Sequence, residues 1–269
     1  MRLSVTNPTT SFPTIKILVA THKPYRIPAD PVYMPLQVGA ALHEPLGYVK
    51  DNAGENISAK NPNFCELTGL YWAWKNLSCD YIGLCHYRRY FAHPVYSRDL
   101  DRVKASIYTY SDYEKLLQQY DVILPMKRNY YIETVRSQYE HAHFKSDLDE
   151  TERIIAEKYP DYSAAFTRVM NRRRLHLYNM FVMSKARFDA YCQWLFTILF
   201  TLEQRIDIST YDTYEARVFG FLSERLFNIW LEKQQLRAVE IPVVSLEPVD
   251  WGKKIRAFLE RKFLGKKQK

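Results

Sequence analysis

The chain has 269 residues, of which 47% are apolar and 25% are charged, and its formal net charge is +8. A chain of this length and composition can bury a hydrophobic core, which excludes a disordered, collagen-like or coiled-coil protein. The last 19 residues contain eight lysines and arginines and one glutamate, so they carry +7 and leave +1 for residues 1–250. The basic charge therefore belongs to a terminal segment, and no nucleic-acid partner is predicted.

The cysteines and apolar stretches favour a cytoplasmic protein. Cys65, Cys79, Cys85 and Cys192 have no CxxC spacing, and the N-terminus has no recognisable signal peptide. The longest apolar stretch, residues 191–202, is shorter than the roughly 20 residues that a membrane-spanning helix needs. We therefore expect a reduced, cytoplasmic protein without a transmembrane helix.

Buried strands and helices are predicted in alternation after an N-terminal leader at residues 1–14. The strands are predicted at residues 15–20, 81–86, 122–124, 178–183 and 239–244. The helices are predicted at residues 61–77, 111–119, 148–158, 161–171, 185–205 and 213–234. This alternation is typical of an α/β fold with a mainly parallel central sheet flanked by helices, so residues 15–250 are expected to form a single domain.

The basic tail at residues 251–269 has an amphipathic pattern. Ile255, Phe258, Leu259 and Phe263 fall with Trp251 on one stripe of a helix, opposite the lysines and arginines. This pattern predicts a basic amphipathic helix that lies on an anionic membrane surface and attaches the protein peripherally to the inner face of the cell membrane. A helix packed on the domain is the alternative.

Cations and aromatic residues follow three of the predicted strands directly. In open α/β sheets, ligands bind beyond the carboxyl ends of the strands. Two adjacent arginines after one strand, with a lysine after each neighbouring strand, would match a diphosphate, because guanidinium groups bind phosphate oxygens in pairs. Solvated side chains at loop starts are the alternative. The residues concerned are Thr21, His22, Lys23, His86, Tyr87, Arg88, Arg89, Lys127 and Tyr130.

Several common site motifs are missing from the sequence. There is no glycine-rich phosphate loop, which disfavours Rossmann dehydrogenases and P-loop NTPases. No Asp-x-Asp follows a buried strand, and Asp147-Leu148-Asp149 is interpreted as a helix cap. No cofactor is therefore predicted, although a divalent metal is not excluded. If the substrate is a sugar nucleotide, the cluster of His86, Arg88 and Arg89 would replace the metal and stabilise the departing diphosphate.

Long segments resemble the DUF4422 family, bacterial glycosyltransferases of capsular polysaccharide, exopolysaccharide and O-antigen synthesis. The resemblance covers nearly everything from residue 15 to about residue 250. It implies a GT-A-like fold that transfers a sugar from a nucleoside-diphosphate donor, UDP-galactose or UDP-galactofuranose among the candidates, to a lipid-linked or oligosaccharide acceptor. The matching segments are Met34–Ala41 (MPLQVGAA), Asp51–Asn76, Tyr81–Phe91 (YIGLCHYRRYF), Arg128–Tyr131, Tyr178–Met183 and Arg217–Leu226.

The resemblance also suggests which residues bind the donor. Residues at the end of the first strand would hold the base and ribose, and a polar loop before the first helix would contact the ribose or diphosphate. Turn and cap chemistry is the alternative for that loop. Glu66 would orient an arginine or bind the donor sugar, and Trp72 rather than Trp74 would line the site. The donor-binding candidates are Thr21, His22, Lys23, Asn56, Ser58, Lys60, Asn61, Glu66, Trp72 and Tyr87.

An inverting transfer needs a carboxylate that deprotonates the acceptor hydroxyl. Glu224 is the candidate, with Asp212 and Glu215 as runners-up, and an ion pair with Arg225 or Arg217 is its alternative role. His86, Arg88 and Arg89 complete the catalytic candidates. The acceptor or phosphate candidates are Lys127, Tyr130, His176, Asn179 and Arg217. A non-catalytic nucleotide- or glycan-binding subunit of a polysaccharide assembly complex is the competing function.

Overall fold

The computed structural model describes residues 12–247. The strands are β1 (Ile15–Thr21), β2 (Tyr33–Gln37), β3 (Val49–Lys50), β4 (Tyr81–His86), β5 (Arg89–Phe91), β6 (Val122–Pro125), β7 (Arg128–Asn129), β8 (Arg174–Leu175), β9 (Phe181–Ser184), β10 (Ala238–Ile241) and β11 (Val243–Ser245). The α-helices are α1 (Asn61–Phe64), α2 (Leu67–Asn76), α3 (Leu100–Ala105), α4 (Tyr110–Leu117), α5 (Val135–Ala142), α6 (Lys145–Lys158), α7 (Ser163–Met170), α8 (Lys185–Glu203) and α9 (Val218–Gln234). Short 3₁₀ turns occupy Ser58–Lys60, Pro160–Tyr162 and Glu215–Arg217.

A nine-stranded sheet forms the centre of the molecule. Its main path runs β10-β6-β9-β4-β1-β2-β3, and β5 joins β4 to β11 at its margin. The pairs β1–β2, β1–β4, β2–β3 and β6–β10 are parallel, whereas β9 is antiparallel to both β4 and β6. Because β9 runs in the opposite direction, the turn before it lies at the edge where β1, β4 and β6 end. The expected mixed α/β fold with a mainly parallel sheet is confirmed.

Alternating side chains of the strands pack into two hydrophobic cores, one on each face of the sheet. Leu18 of β1 and Leu84 of β4 belong to the core that α2, α8 and α9 cover. Their neighbours Val19 and Cys85 point to the other face, where Tyr113 of α4 is fully buried. This two-residue alternation is what a strand covered on both faces requires. The buried strands hold the residues at their ends in fixed positions.

Three of the predicted elements differ from those observed. The helix predicted over residues 61–77 is broken after Phe64, because Cys65 adopts a φ of 52°. The strand predicted from Tyr178 begins at Phe181, since Tyr178 and Asn179 have φ values of 73° and 52°. The strand predicted over residues 239–244 divides into β10 and β11 at Pro242.

Two further predictions concern the helix caps and the tail. Asp147 lies within the first turn of α6 rather than at its cap, which is Phe144, and accepts a hydrogen bond from the Tyr211 hydroxyl. The predicted basic helix at residues 251–269 lies outside the described residues. Among residues 12–247, no helix is both long enough and apolar enough to cross a bilayer.

Candidate active site

The carboxyl ends of β1 and β4, the turn before β9 and the first half of α9 converge at one edge of the sheet. β1 ends at Thr21, whose hydroxyl donates to the carbonyl oxygen of Lys23 at 2.6 Å and fixes the turn after the strand. β4 ends at His86, and two residues separate it from the antiparallel strand β5. Residues from four distant parts of the chain are therefore brought together, as expected for a site beyond the strand ends of an α/β sheet.

Glu224 of α9 is the carboxylate at the centre of this site. Its Oε1 accepts a hydrogen bond of 2.7 Å from the backbone N–H of Tyr178, and its Oε2 lies 3.1 Å from Nη1 of Arg225. Burial raises the pKa of Glu224, and the nearby carboxylate of Glu66 raises it further, against the opposing effect of Arg225 and Arg89. A carboxyl group with a raised pKa is suited to accept a proton near neutral pH.

Arg225 holds Glu224 from the protein interior. Its side chain is 4% exposed, and its guanidinium donates to the Phe221 carbonyl at 2.9 Å and to Oε1 of Gln138 at 2.6 Å. The ion pair with Arg225 was the alternative interpretation of Glu224, and it is present. Carboxylate oxygens offer about four acceptor positions, so the two contacts leave Glu224 able to bind a further proton donor.

Glu66 reaches the same site from the junction between α1 and α2. Its Oε1 accepts a 2.8 Å hydrogen bond from Nδ2 of Asn179, which donates equally closely to the hydroxyl of Ser223. Asn179 is buried, and its Oδ1 has no hydrogen-bond partner among the described residues. Glu66 therefore contacts Asn179 rather than the arginines that the sequence suggested, and the side-chain amide of Asn179 orients it.

His86 and Arg89 complete the inner part of the site. Nε2 of His86 lies 2.6 Å from the carbonyl oxygen of Tyr178, and the Arg89 guanidinium lies 4.4 Å from the centroid of the Tyr178 ring. Burial lowers the pKa of His86, which the neighbouring Glu66 partly opposes, and burial also lowers the pKa of Arg89. Burial therefore favours the neutral form of His86, while Arg89 supplies positive charge beside Glu224.

A second group of cations forms the rim of the site. Lys23 and Arg88 both bind the carboxylate of Glu247, at 3.3 and 2.9 Å, and Lys23 lies 4.8 Å from the Tyr87 ring centroid. The His22 ring packs edge-on against Tyr87. Burial and the charges of Lys23 and Arg88 lower the pKa of His22. We call Lys23 and Arg88, which share Glu247, the cationic rim. Arg88 and Arg89 diverge to different partners, so the expected paired clamp is distributed between the rim and the inner site.

Arg217 lies between the rim and Glu66. Its Nε donates to Sγ of Cys65 at 3.2 Å, and its charge acts on both His22 and Glu66. Asn61 holds the Cys65 carbonyl at 2.7 Å through its side-chain amide. Arg217 is thus brought to the site as predicted, whereas Asn61 supports the backbone beside it.

The other polar-loop residues have partners of their own, which agrees with the turn and cap alternative. The Asn56 side chain bonds within its loop, to the carbonyls of residues 52 and 54. Ser58 is buried against the Asp51 carboxylate, which also accepts from the Gly39 N–H. Lys60 forms an ion pair with Glu203 of α8. These three side chains stabilise the loop instead of meeting the inner site.

Lys127 and His176 lie together at the ends of β6 and β10. The Lys127 ammonium binds Glu240 at 2.7 Å, and Nδ1 of His176 lies 2.6 Å from the Pro125 carbonyl. His176 is buried, and its backbone is tied to the side chain of Asn228. Neither residue contacts the diphosphate candidates on β1 and β4, so the structure does not bring Lys127 into a clamp with Arg88.

The aromatic candidates Trp72 and Tyr130 differ in their position relative to the site. Trp72 is 7% exposed and belongs to the main core, contrary to the expectation that it lines the site; Trp74 is only partly buried and stacks on Phe196. Tyr130 is partly buried, and the charges of Arg225 and Glu224 act on its hydroxyl. Tyr130 therefore remains next to the site, and Trp72 does not.

The two alternative bases, Asp212 and Glu215, have structural contacts of their own. Asp212 caps the turn that follows it by accepting from the backbone N–H groups of Tyr214 and Glu215, and Glu215 binds His143. Both therefore have structural contacts away from Glu224. Within residues 12–247 no cluster of three or more His, Cys, Asp or Glu side chains could hold a metal ion.

Several contributors to the site were not predicted from the sequence. Tyr178 acts through its backbone, Ser223 is a buried support on α9, and Glu247 reaches the rim from beyond β11. Tyr178 and Ser223 lie inside segments that resemble the family, which was the available signal. No motif in the sequence marks Glu247, and only the fold brings it to Lys23 and Arg88.

The fold and site define a mixed α/β protein with a mainly parallel sheet and a charged site beyond its strand ends. A solved structure described as the bifunctional glycosyltransferase WbbM in its apo form is similar, with a TM-score of 0.80 and 31% sequence identity. The alignment covers 87% of this chain and 45% of WbbM, so the chain spans less than half the length of that relative. Residues 16–235 match the family described as a domain of unknown function, DUF4422, and the chain belongs to this family. No curated protein matches the chain.

Proposed function

We propose that this protein is a glycosyltransferase that moves a sugar from a nucleoside-diphosphate donor to a lipid-linked glycan in bacterial surface polysaccharide synthesis. The family membership and the similarity to WbbM support the reaction class. The donor is a UDP-sugar, with UDP-galactose and UDP-galactofuranose as the first candidates. The proposal places the protein in the cytoplasm at the inner face of the membrane, where it would meet a lipid-linked acceptor.

The observation that carries the proposal is the arrangement around Glu224. A partly buried carboxylate with a raised pKa is held in place by Tyr178 and Arg225 and lies beside the Arg89 cation. In an inverting transfer, Glu224 would take the proton of the acceptor hydroxyl as its oxygen forms the new bond to the sugar. The bond between the sugar and the diphosphate breaks at the same time, and its electrons stay on the diphosphate.

The cations supply the charge that this leaving group requires. Arg88 and Lys23 at the rim would bind the outer phosphate oxygens, and Arg89 would lie nearer the bond that breaks. Arginine binds phosphate with two N–H groups at once, and its charge stabilises the negative charge that develops on the leaving diphosphate. Tyr87 is buried, contrary to the expectation that it binds the donor, and with the His22 ring edge-on against it and the Lys23 ammonium over its face it would position these two residues for the base and ribose.

The experiment is a donor panel with the purified full-length protein. UDP release and transfer to a lipid-linked acceptor are measured with several UDP-sugars, with and without EDTA. We expect turnover with one donor, its persistence in EDTA, and its loss in Arg88→Ala and Arg89→Ala but not in Arg237→Ala, an exposed arginine paired with Asp121. Thermal stabilisation by UDP without any turnover would favour a non-catalytic nucleotide-binding subunit instead. Full activity in both site variants would refute the assigned roles.

A further inference from the structure

A small two-stranded antiparallel ribbon, formed by segments that are distant in the sequence, lies beside the candidate active site and exposes apolar side chains. β7 pairs antiparallel with β8, and the N–H of Tyr130 donates to the carbonyl of Arg173 at 2.8 Å. Met126, Tyr131 and Ile132 are 60%, 74% and 62% exposed. Three large apolar side chains within seven residues are unusual for a surface in contact only with water, since exposed apolar groups are normally scattered.

Arginines surround these apolar side chains. Arg128, Arg173 and Arg174 are exposed, and none of them forms an ion pair with any residue in the described part of the chain. The nearby carboxylates already have partners: Glu240 binds Lys127, and Glu133 binds His141. The surface therefore carries uncompensated positive charge next to exposed apolar groups. We call residues 126–132 and 172–174 the basic ribbon.

The loop that follows β7 in the basic ribbon is held in a defined shape. Tyr131 has a φ of 58°, its N–H donates to Oδ1 of Asn129 at 2.9 Å, and its carbonyl accepts from Nη1 of Arg173 at 3.2 Å. Tyr130 packs partly buried towards the site while Tyr131 and Ile132 point outwards. A positive φ at a non-glycine residue costs free energy and persists only where the surrounding contacts hold it. The hydrogen bonds with Asn129 and Arg173 therefore hold this loop in the shape that exposes Tyr131 and Ile132.

We propose that the basic ribbon docks the protein on an anionic lipid bilayer, with Tyr131 and Ile132 inserted at the interface and the arginines against lipid phosphates. Apolar side chains flanked by arginines match the chemistry of an anionic membrane surface, in which both groups find partners at the same depth. The inference deepens the proposed function, because Tyr130 links this surface to the surroundings of Glu224 and the acceptor would arrive from the bilayer. It differs from the predicted role of residues 251–269, since it assigns a second contact within the folded domain.

The test is co-sedimentation of the full-length protein with vesicles of phosphatidylcholine alone or with one quarter phosphatidylglycerol. We expect binding to the anionic vesicles and a loss of affinity of about 30-fold or more in the Arg128→Glu/Arg174→Glu variant, because each neutralised arginine costs about fivefold and charge reversal costs more. Tyr131→Ser/Ile132→Ser should weaken binding without changing the charge. All four positions are exposed, and matching melting temperatures would verify the fold of both variants.

A matched control tests whether any exposed tyrosine and arginine would do. Tyr96 and Arg98 are exposed on the loop between β5 and α3, and Tyr96→Ser/Arg98→Glu should bind anionic vesicles like the parent protein. Failure of the parent protein to bind anionic vesicles would overturn the proposal. Unchanged binding in both variants of the basic ribbon, the charge reversal and the double serine replacement, would also overturn it. Vesicle binding requires no donor or turnover, so this outcome is separate from failure of the proposed transferase activity.

Discussion

Replacement of Glu224 by glutamine tests the proposed base directly. Glutamine keeps an oxygen that can accept from the Tyr178 N–H and an amide of the same size, but it cannot take up a proton. Removal of a general base typically lowers the rate by about 10²–10⁴-fold, which corresponds to roughly 3–5 kcal/mol of transition-state stabilisation. We therefore expect kcat for sugar transfer to fall by that factor, with little change in the Kd of UDP, measured by calorimetry.

The pH dependence and the fold of this variant provide further checks. Because the folded protein raises the pKa of Glu224, the ascending limb of kcat against pH should lie above the range of an ordinary glutamate. A raised folded pKa also means that stability declines as pH rises through it, so Glu224→Gln should melt no lower than the parent at neutral pH. Glu232→Gln, on the same helix and paired with Arg168 and Arg172, is the matched control that should keep full activity. Undiminished kcat in Glu224→Gln would refute the assignment.

Three further variants separate the roles of neighbouring residues. Glu247→Gln removes the carboxylate that occupies both rim cations, so the Kd of UDP should fall several-fold in calorimetry; an unchanged Kd would contradict a phosphate role for the rim. Asn179→Asp places a new carboxylate beside Glu66 and should move the ascending limb of the pH–rate profile to higher pH, whereas an unmoved limb would argue against electrostatic coupling there. Trp72→Ala empties a core position and should cost about 3–5 kcal/mol in urea denaturation without altering the Kd of UDP; an undiminished free energy of unfolding would contradict its core placement.

The order of strands and helices could be predicted where the apolar pattern is strong. β1, β4 and β6 are short buried strands with polar residues directly after them, so the pattern located Lys23, His86 and Arg88 at the correct edge of the sheet. The same pattern could not give the direction of β9. Strand direction depends on how the chain returns to the sheet, and a four-residue apolar run is the same in either direction.

The inner contacts could not be predicted, because they join residues far apart in sequence. Glu66 and Asn179 are separated by 113 positions, and Arg88 and Glu247 by 159. No local periodicity records such pairs. The choice of Trp72 over Trp74 failed because the buried face of α2 extends from Leu67 and Leu70 to Trp72 and Ala73, whereas Trp74 lies at its partly buried margin.

Backbone strain marks the same edge of the sheet independently of any similarity to other proteins. Among the described residues, five non-glycine residues have positive φ, and Gln235 ends α9, where a left-handed residue is common. Cys65 and the Tyr178-Asn179 turn instead lie beside the two carboxylates of the site. Each such conformation costs on the order of 1–3 kcal/mol and persists only where the surroundings hold it. Here the surroundings are the hydrogen bonds from Tyr178 and Asn179 to the two glutamates, so relaxing the turn would release both carboxylates from the positions on which the proposed transfer depends.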